Sequence, residues 1–306
     1  MCYVNPKVDF AFKKLFGSEE NKDLLKALVN SMLSPEEQLE EIILKNPYNL
    51  ADFKGDKQSI VDIKAMDERG RWYDIEIQIG VQEYFAKRAM YYWAAMYGDQ
   101  LKEKGRYGEL NKTICISLLD YNYLPESEYH NVYRLLNIRT YQELDNICEL
   151  HFVELNKFTK GLKEVKTAIE RWVTFLNNAT KYNRNNIPAE LAADAMVKKA
   201  VEQLEIISFS DEEREIYRAR EKFRLDFLAV IETAEHKARE KGVQEGLAEG
   251  RAKGREEGRA EGREEGRAQG RAEGRLEVAR NLLANGLKAA DVAKFTGISL
   301  EDIERL

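Results

Sequence analysis

The sequence predicts an α/β fold followed by a helical C-terminal region. Apolar residues recur at helical spacing near the start of the chain, then at a period of two in two segments between residues 59 and 79. Another helical segment and an apolar strand follow before residue 120, and the pattern is helical from about residue 161. This order of helix, strands, helix and strand is typical of an α/β domain.

Length and composition indicate a globular protein. The 306 residues allow about two domains and at least one sizeable core, and 43% hydrophobic residues argue against wholesale disorder. No apolar run approaches the roughly 18 residues that span a bilayer, so we expect a cytoplasmic protein. The net charge of −6 offers nucleic acid no global attraction, so any DNA contact requires a local basic surface.

The cysteines and histidines do not form a metal motif. Cys2, Cys115 and Cys148 are an odd number without the short spacing of zinc sites, and no histidine clusters with them. We therefore expect free thiols in a reducing compartment. Cys115, inside an apolar strand, is expected to be a small core residue.

The chain begins with two predicted helices, and a predicted β-hairpin follows them. Residues 8–17 place apolar side chains on one helical face, and a second helix follows to about residue 32. In residues 59–65, Asp62 and Lys64 share one side of a predicted strand. In residues 71–79, Glu76 and Gln78 alternate with isoleucines, which predicts a hairpin with one apolar and one acidic face. Asp62 and Glu76 can then face the same side.

The middle of the chain continues the alternation of helix and strand. Residues 82–104 predict an aromatic-rich helix, residues 113–119 an apolar strand, and residues 146–155 one more strand. Residues 161–240 are predicted to be helical. The stretch 208–239 carries dense opposite charges typical of solvated helices and shows no catalytic constellation.

A glycine stands at every fourth residue from 242 to 274, usually followed by arginine. Each interior glycine costs a helix roughly 1 kcal/mol, so nine would disfavour an isolated helix by about 9 kcal/mol. We hypothesise a parallel homodimeric stem in which the arginine flank of one helix meets the glutamate flank of the other, wound right-handed. A flexible charged linker is the alternative that composition leaves open.

Residues 276–306 predict three short helices separated by turns at Gly286 and Gly297. The spacing is similar to that of the helix-turn-helix segments of transposases and resolvases. The last helix, however, is acidic where a recognition helix should be basic. A small helical cap that does not read DNA therefore stays open as the alternative.

The acidic hairpin face suits metal-dependent cleavage of phosphodiesters, which needs hard oxygen ligands and positive charge beside the phosphate. Asp62 and Glu76 would supply the oxygens, and the backbone carbonyl of Ile77 could add a third. Gln78 could orient a water or a phosphate oxygen but cannot supply the charge of a lysine. The alternative is that this face is simply the wet side of an antiparallel hairpin.

A family resemblance favours the active-site interpretation. The segments VDFAFKKLFG at 8–17, SIVDIKA at 59–65, DIEIQ at 74–78, FAKRAMYYW at 85–93 and LHFVELNK at 150–157 resemble, in that order, the PD-(D/E)XK family of recombination-promoting nucleases and putative transposases. The resemblance covers most of the chain, including its charged tail with glycine-arginine repeats. It implies a restriction-endonuclease-like mixed sheet flanked by helices and DNA cleavage with Mg²⁺, or with Mn²⁺ in its place.

The resemblance also implies roles for individual residues. Asp62 matches the first acidic position and Glu76 the second, while Gln78 stands where many relatives carry lysine. The missing positive charge could come from Lys64, Lys13 or Lys14. Two further residues keep two interpretations each: Asp9 assists the metal or only favours its helix, and Arg88 contacts phosphate or only packs at the surface.

The leading hypothesis is a Mg²⁺-dependent DNA endonuclease acting in recombination or mobile-element activity, dimeric through residues 242–274. The alternatives are a catalytically inactive DNA- or protein-binding module on the same fold, with the repeat for oligomerisation, and a helical scaffold. We expect a nuclease-like domain over residues 1–160, a helical region over 161–240, the repeat over 241–275 and a cap over 276–306.

Overall fold

The structure is a computed structural model that describes residues 4–46, 48–49, 59–101, 105–207 and 209–306. The chain divides into two compact units, Met1–Ala229 and Val230–Leu306. None of the described helices combines the length and apolar character that crossing a bilayer requires. Cys115 and Cys148 are buried free thiols, and Cys2 lies outside the described residues.

The predicted helices and strands occur in the predicted order, with additional short strands between them. The helices are α1 Asp9–Phe16, α2 Lys22–Asn30, α3 Phe85–Gly98, α4 Ala168–Asn178, α5 Ala189–Ala192, α6 Ala195–Ile206, α7 Asp211–Ala284, α8 Ala289–Thr296 and α9 Leu300–Ile303. The strands are β1 Ile42–Lys45, β2 Tyr48–Asn49, β3 Ser59–Ile60, β4 Ile63–Asp67, β5 Trp72–Gln78, β6 Thr113–Leu119, β7 His130–Tyr133 and β8 Cys148–Glu154.

Six strands form one mixed sheet in the order β1-β4-β5-β6-β8-β7. Strands β1, β4 and β5 are antiparallel, β5, β6 and β8 are parallel, and β7 pairs antiparallel with β8. Strands β2 and β3 form a separate pair. The predicted mixed sheet flanked by helices, followed by a helical C-terminal region, is confirmed.

The two faces of the sheet carry different residues because side chains alternate along each strand. Ile75, Ile77 and Ile116 belong to the larger core, together with buried side chains of α1, α2, α4 and α6. On the other face, Cys115 and Phe152 pack with Phe85 and other residues of α3. Asp74 and Glu76 are paired in register with Cys115 and Ser117, so they lie on this second face.

The structure corrects two predicted boundaries. The aromatic helix is shorter than residues 82–104, since α3 spans Phe85–Gly98, and residues 102–104 lie outside the described part. The predicted strand over residues 59–65 is interrupted: β3 pairs with β2, and β4 begins only at Ile63. Asp62 lies in the break, where its Oδ2 accepts the N–H of Ile77 at 3.0 Å. An aspartate side chain that takes a backbone donor in this way competes with regular strand pairing.

Two edge strands, β1 and β7, were not predicted from the sequence. Each has four residues and no apolar alternation, as expected for short strands at the margins of a sheet.

The glycine-arginine repeat lies within the 74-residue helix α7. Apart from the neighbouring residues and the backbone of the helix itself, no heavy atom of the described residues lies within 4 Å of a Cβ built on any glycine from Gly242 to Gly274, so the glycine stripe is open to approach. The pairing of two such helices in a homodimer stays a prediction.

Of the three short helices predicted at the end of the chain, α8 and α9 are present, and the first is not separate but forms the end of the long helix α7. Ala279, Val292 and Ile303, one from each of α7, α8 and α9, make a small core. Gly286 and Gly297 have φ angles of 85° and 71°, the left-handed conformation that ends a helix at little cost for glycine. The division of the chain into four functional segments stays a prediction.

Candidate active site

Two acidic residues meet where β4 and β5 begin to separate. The register pairs Ile63 with Ile75 and Lys64 with Asp74, so Asp62 lies opposite Glu76 just beyond the ladder. The hydrogen bond from the Ile77 N–H holds the Asp62 carboxylate toward β5. Asp62 and Glu76 are therefore neighbours in the structure, although Asp62 is not part of a strand.

The acidic face of this hairpin is covered. Asp74 and Glu76 are each 3% exposed, and α3 lies against the face that bears them. The alternative interpretation of a wet hairpin face is therefore wrong. Burial disfavours a charged carboxylate unless nearby cations or hydrogen bonds compensate its charge. The groups around Asp74 and Glu76 therefore decide whether these side chains can be charged.

Two cations stand beside the carboxylates. Lys13 Nζ lies 3.0 Å from Asp62 Oδ1, and Arg88 Nη2 lies 3.6 Å from Glu76 Oε1. The Arg88 guanidinium also lies 5.0 Å from the centre of the Tyr92 ring. The two acidic residues are thus met by one cation each, from α1 and from α3.

Gln78 contacts the arginine directly. Arg88 Nη1 donates to Gln82 Oε1 at 3.0 Å and to Gln78 Oε1 at 3.5 Å. Gln78, at the position where the family resemblance leads us to expect lysine, therefore contributes to orienting a cation instead of providing one.

The pKa values of Asp62, Asp74 and Glu76 are all raised. Burial raises the pKa of Glu76 to about 7, with Asp62 adding to the rise and Arg88 opposing it. Burial, together with Glu76 and Asp62, raises the pKa of Asp74 well above its usual value, and burial also raises the pKa of Asp62 against the effect of Lys13. Among the described residues, Glu76 Oε1 has no hydrogen-bond partner.

A cleft of about 370 Å³ lies next to this group, and Asp62 lines it, whereas the buried Asp74 and Glu76 do not. Asp9, Asp62, Ile77, Gln78 and Arg88 line it, as do Arg220, Phe223 and Phe227 from the N-terminal part of α7. Helix α7 packs closely here, because a Cβ built on Gly80 would lie 3.4 Å from Phe227 Cζ.

The contribution of α7 was not predicted from the sequence. Arg220 Nη1 lies 3.8 Å from Asp9 Oδ2 and so brings a cation to the cleft wall. The surrounding segment shows only the charge pattern of a solvated helix, and no local signal links it to residues so distant in the chain.

The remaining predicted site residues lie in different surroundings. Asp9 Oδ1 accepts the Phe10 N–H at 2.8 Å, so this side chain serves the start of α1 while also lining the cleft. Lys14 Nζ pairs with Glu213 at 2.6 Å. Lys64 Nζ lies 3.7 Å from Asp99 and 5.2 Å from the centre of the Trp72 ring.

The capacity of this site for a metal rests on two carboxylates. In the described part of the chain, no group of three or more histidine, cysteine, aspartate or glutamate side chains is arranged to hold an ion. Mg²⁺ nevertheless keeps several waters and uses only one or two protein carboxylates. The buried Glu76 Oε1 that lacks a hydrogen bond, opposite Asp62, fits such an ion.

Comparison with known families agrees with this architecture. A family model described as PD-(D/E)XK nuclease family transposase matches residues 6–234. Because this match covers most of the chain, the protein belongs to the PD-(D/E)XK nuclease family transposases. A second model, described as the C-terminal HTH domain of the Rpn/YhgA-like nuclease family, matches residues 272–306 and supports the Rpn-like branch.

Searches of curated proteins and of solved structures each found no significant match. The resemblance stated from the sequence and the restriction-endonuclease-like fold are confirmed. The matched HTH domain suggests DNA binding by the C-terminal segment.

Proposed function

We propose that this protein is a Mg²⁺-dependent DNA endonuclease that acts in recombination or in the movement of mobile elements. The observation that carries the proposal is the pair Asp62 and Glu76, held opposite each other with Lys13 and Arg88 beside them and with Asp62 lining a cleft. Such a group combines hard oxygen ligands with positive charge, as cleavage of a phosphodiester requires.

Asp62 and Glu76 would hold Mg²⁺, or Mn²⁺ in its place, and the backbone carbonyl of Ile77 would be the third protein ligand. When bound, the ion would supply an activated water and offset charge on the phosphate. The raised pKa of Glu76 is consistent with this role, since a buried carboxylate without a full set of partners favours either a proton or a cation.

The cations of the site would act on the substrate. Lys13 and Arg88 lie beside the two carboxylates, where they would meet an approaching phosphate, and Arg220 lines the cleft. Gln78 would orient Arg88 through its side-chain oxygen. We assign Asp9 a supporting role at the metal. Lys14 and Lys64, which pair with Glu213 and Asp99, would act on DNA only after leaving those partners.

Nicking of a supercoiled plasmid in Mg²⁺ tests this function. Wild-type protein should nick the plasmid, whereas Asp62→Asn and Glu76→Gln, which preserve side-chain shape, should not. Glu109→Gln, an exposed glutamate outside the cleft, is the matched control and should keep full activity. Equal nicking by all four proteins would show that the assigned site is wrong.

The inactive binding module is the second candidate, and glutamine in place of lysine at position 78 favours it. Calorimetric titration with Mn²⁺ separates the two candidates from a scaffold without a metal site. Binding of Mn²⁺ that Asp62→Asn abolishes, without nicking of any DNA, would support the inactive module.

We further propose a homodimer joined in parallel through residues 242–274. The support is a continuous helix with an open glycine stripe, which lets two helices approach closely. Sedimentation of the full chain should give a dimer, and a chain ending at residue 235 should give a monomer. A full-length monomer at high protein concentration would exclude the stem.

A further inference from the structure

A groove next to the cleft has no role in the function described so far. Its volume is about 450 Å³, and its lining residues are Gln82, Glu83, Tyr84, Lys87, Arg88, Tyr91 and Tyr92. Tyr84 and Tyr91 are 60% and 46% exposed. Large aromatic side chains exposed at a concave surface are typical of a binding site and not of a solvated helix face.

The groove combines aromatic rings with cations. Lys87 Nζ lies 4.9 Å from the centre of the Tyr84 ring, and the Arg88 guanidinium lies 5.0 Å from that of Tyr92. Spacings of three and four residues place the tyrosines and cations on one side of the start of α3. Single-stranded nucleic acids bind to surfaces of this composition, because bases stack on the rings and cations attract the phosphates.

Arg88 and Gln82 connect the groove to the proposed active site. Both residues line the groove and the cleft, and they are joined by a hydrogen bond of 3.0 Å. Arg88 also reaches to 3.6 Å from Glu76. A DNA strand with its phosphate at Asp62 and Glu76 would therefore pass Arg88 and bring a neighbouring nucleotide to Tyr84 and Tyr91.

We propose that the groove is a stacking subsite for an unpaired nucleotide next to the cleaved phosphate. This inference rests on the proposed nuclease function and specifies its substrate: DNA with a single-stranded extension, a loop or a frayed end. A base inside an intact duplex is already stacked and must be unpaired at a cost before it can reach the rings. A base without a pairing partner avoids most of that cost.

The test measures binding and base stacking without cleavage. Full-length protein in EDTA is titrated into fluorescein-labelled DNA, either a blunt duplex or the same duplex with a single-stranded extension. In a parallel probe, 2-aminopurine replaces the first base of the extension and reports its stacking. The variants are Tyr91→Leu, Tyr84→Leu and Tyr91→Phe, and the control is Tyr107→Leu, which removes a tyrosine that is 84% exposed.

Wild-type protein should bind the extended duplex more tightly and quench the 2-aminopurine. Tyr91→Leu and Tyr84→Leu should each weaken that binding about tenfold and reduce the quenching, because a leucine offers no ring for stacking. Tyr91→Phe should keep both signals, and Tyr107→Leu should match the wild type. Equal affinity of wild type for both duplexes, or an equal loss in Tyr107→Leu, would overturn the subsite.

A nicking assay in Mg²⁺ on the same proteins distinguishes failure of the proposed subsite from failure of the proposed nuclease function. If wild type nicks DNA, Asp62→Asn does not, and the tyrosine-to-leucine variants bind and nick like wild type, the subsite is wrong and the nuclease function stands. If wild type cleaves no more DNA than Asp62→Asn, the nuclease function is wrong, and so is a subsite defined by a cleaved phosphate.

Discussion

Glu76 on β5 and Glu149 on β8 are both buried, but their surroundings differ. Glu149 is 2% exposed on the opposite face of the sheet, where His151 Nε2 lies 2.8 Å from Oε1 and Arg134 Nη2 lies 3.1 Å from Oε2. Lys112 forms a third close ion pair with it. Glu76 is 3% exposed, has Arg88 only at 3.6 Å, and lies beside two other acidic residues.

The pKa values of the two glutamates move in opposite directions. Burial by itself would raise the pKa of Glu149, but His151 and Lys112 outweigh it and lower the value to about 2. At Glu76 burial dominates, and the pKa rises to about 7. A buried acid with several close cationic partners keeps its charge within the fold, whereas one that lacks them is a candidate site for a cation or a substrate.

The largest expected difference between the two glutamates is in catalysis. Glu76→Gln should reduce the nicking rate at least about a hundredfold, since it would remove the proposed metal ligand, which we expect to be worth several kcal/mol to the transition state. Glu149→Gln, assayed under conditions in which the variant is folded, should keep a nicking rate within about threefold of that of the wild type. Comparable losses in both variants would show that the sheet as a whole, and not one face, supports activity.

The next effect concerns stability. Lys112→Met should lower the free energy of unfolding by about 3 kcal/mol, because Glu149 and Glu37 lose a buried cationic partner. Lys22→Met, which breaks the exposed ion pair with Glu19, is the control and should change it by less than about 1 kcal/mol. Urea denaturation measures the free energy of unfolding of both variants. Equally small effects would show that Lys112 stabilises the fold no more than a lysine in an exposed ion pair does.

The two glutamates should also have opposite effects on the pH dependence of stability. Glu149, with its pKa lowered from 4.5 to about 2, contributes stability above pH 4.5 that is lost as the pH falls toward 2. Glu76, with its pKa raised from 4.5 to about 7, makes the fold less stable as the pH rises through that range. Each contribution is on the order of 3 kcal/mol, at 1.36 kcal/mol per pKa unit.

Urea denaturation in EDTA between about pH 3 and pH 8 tests this contrast. Relative to wild type, Glu76→Gln should gain stability toward pH 8, and Glu149→Gln should lose it as the pH rises from 3 to 5. Parallel curves for the two variants would contradict the opposite pKa shifts.

The smallest effect distinguishes two adjacent lysines of α1. Lys13→Met should slow nicking roughly tenfold, about 1.4 kcal/mol, because Lys13 is the cation closest to Asp62. Lys14→Met, which removes the ion pair with Glu213, should leave the rate within about twofold. If Lys14→Met has the larger effect, Lys14 and not Lys13 supplies the positive charge of the site.

Much of the fold could be predicted because its signals are local. The period of two in β5, the apolar run of β6 and the left-handed turns at Gly286 and Gly297 all act over a few residues. The edge strands β1 and β7 could not be found, since their pairing depends on partners remote in sequence. The break at Asp62 was missed for the same reason, as its hydrogen bond reaches across to Ile77.

The amino-acid sequence by itself determined the order of the elements, the alternation that puts Asp62 and Glu76 on one side, and the family resemblance. Only the tertiary structure decided that this acidic face is buried under α3, that Arg88 and Lys13 lie beside it, and that α7 contributes Arg220 to the lining of the cleft. The physical reason is that periodicity is a property of neighbouring residues, while burial and charge compensation depend on which distant segments pack together.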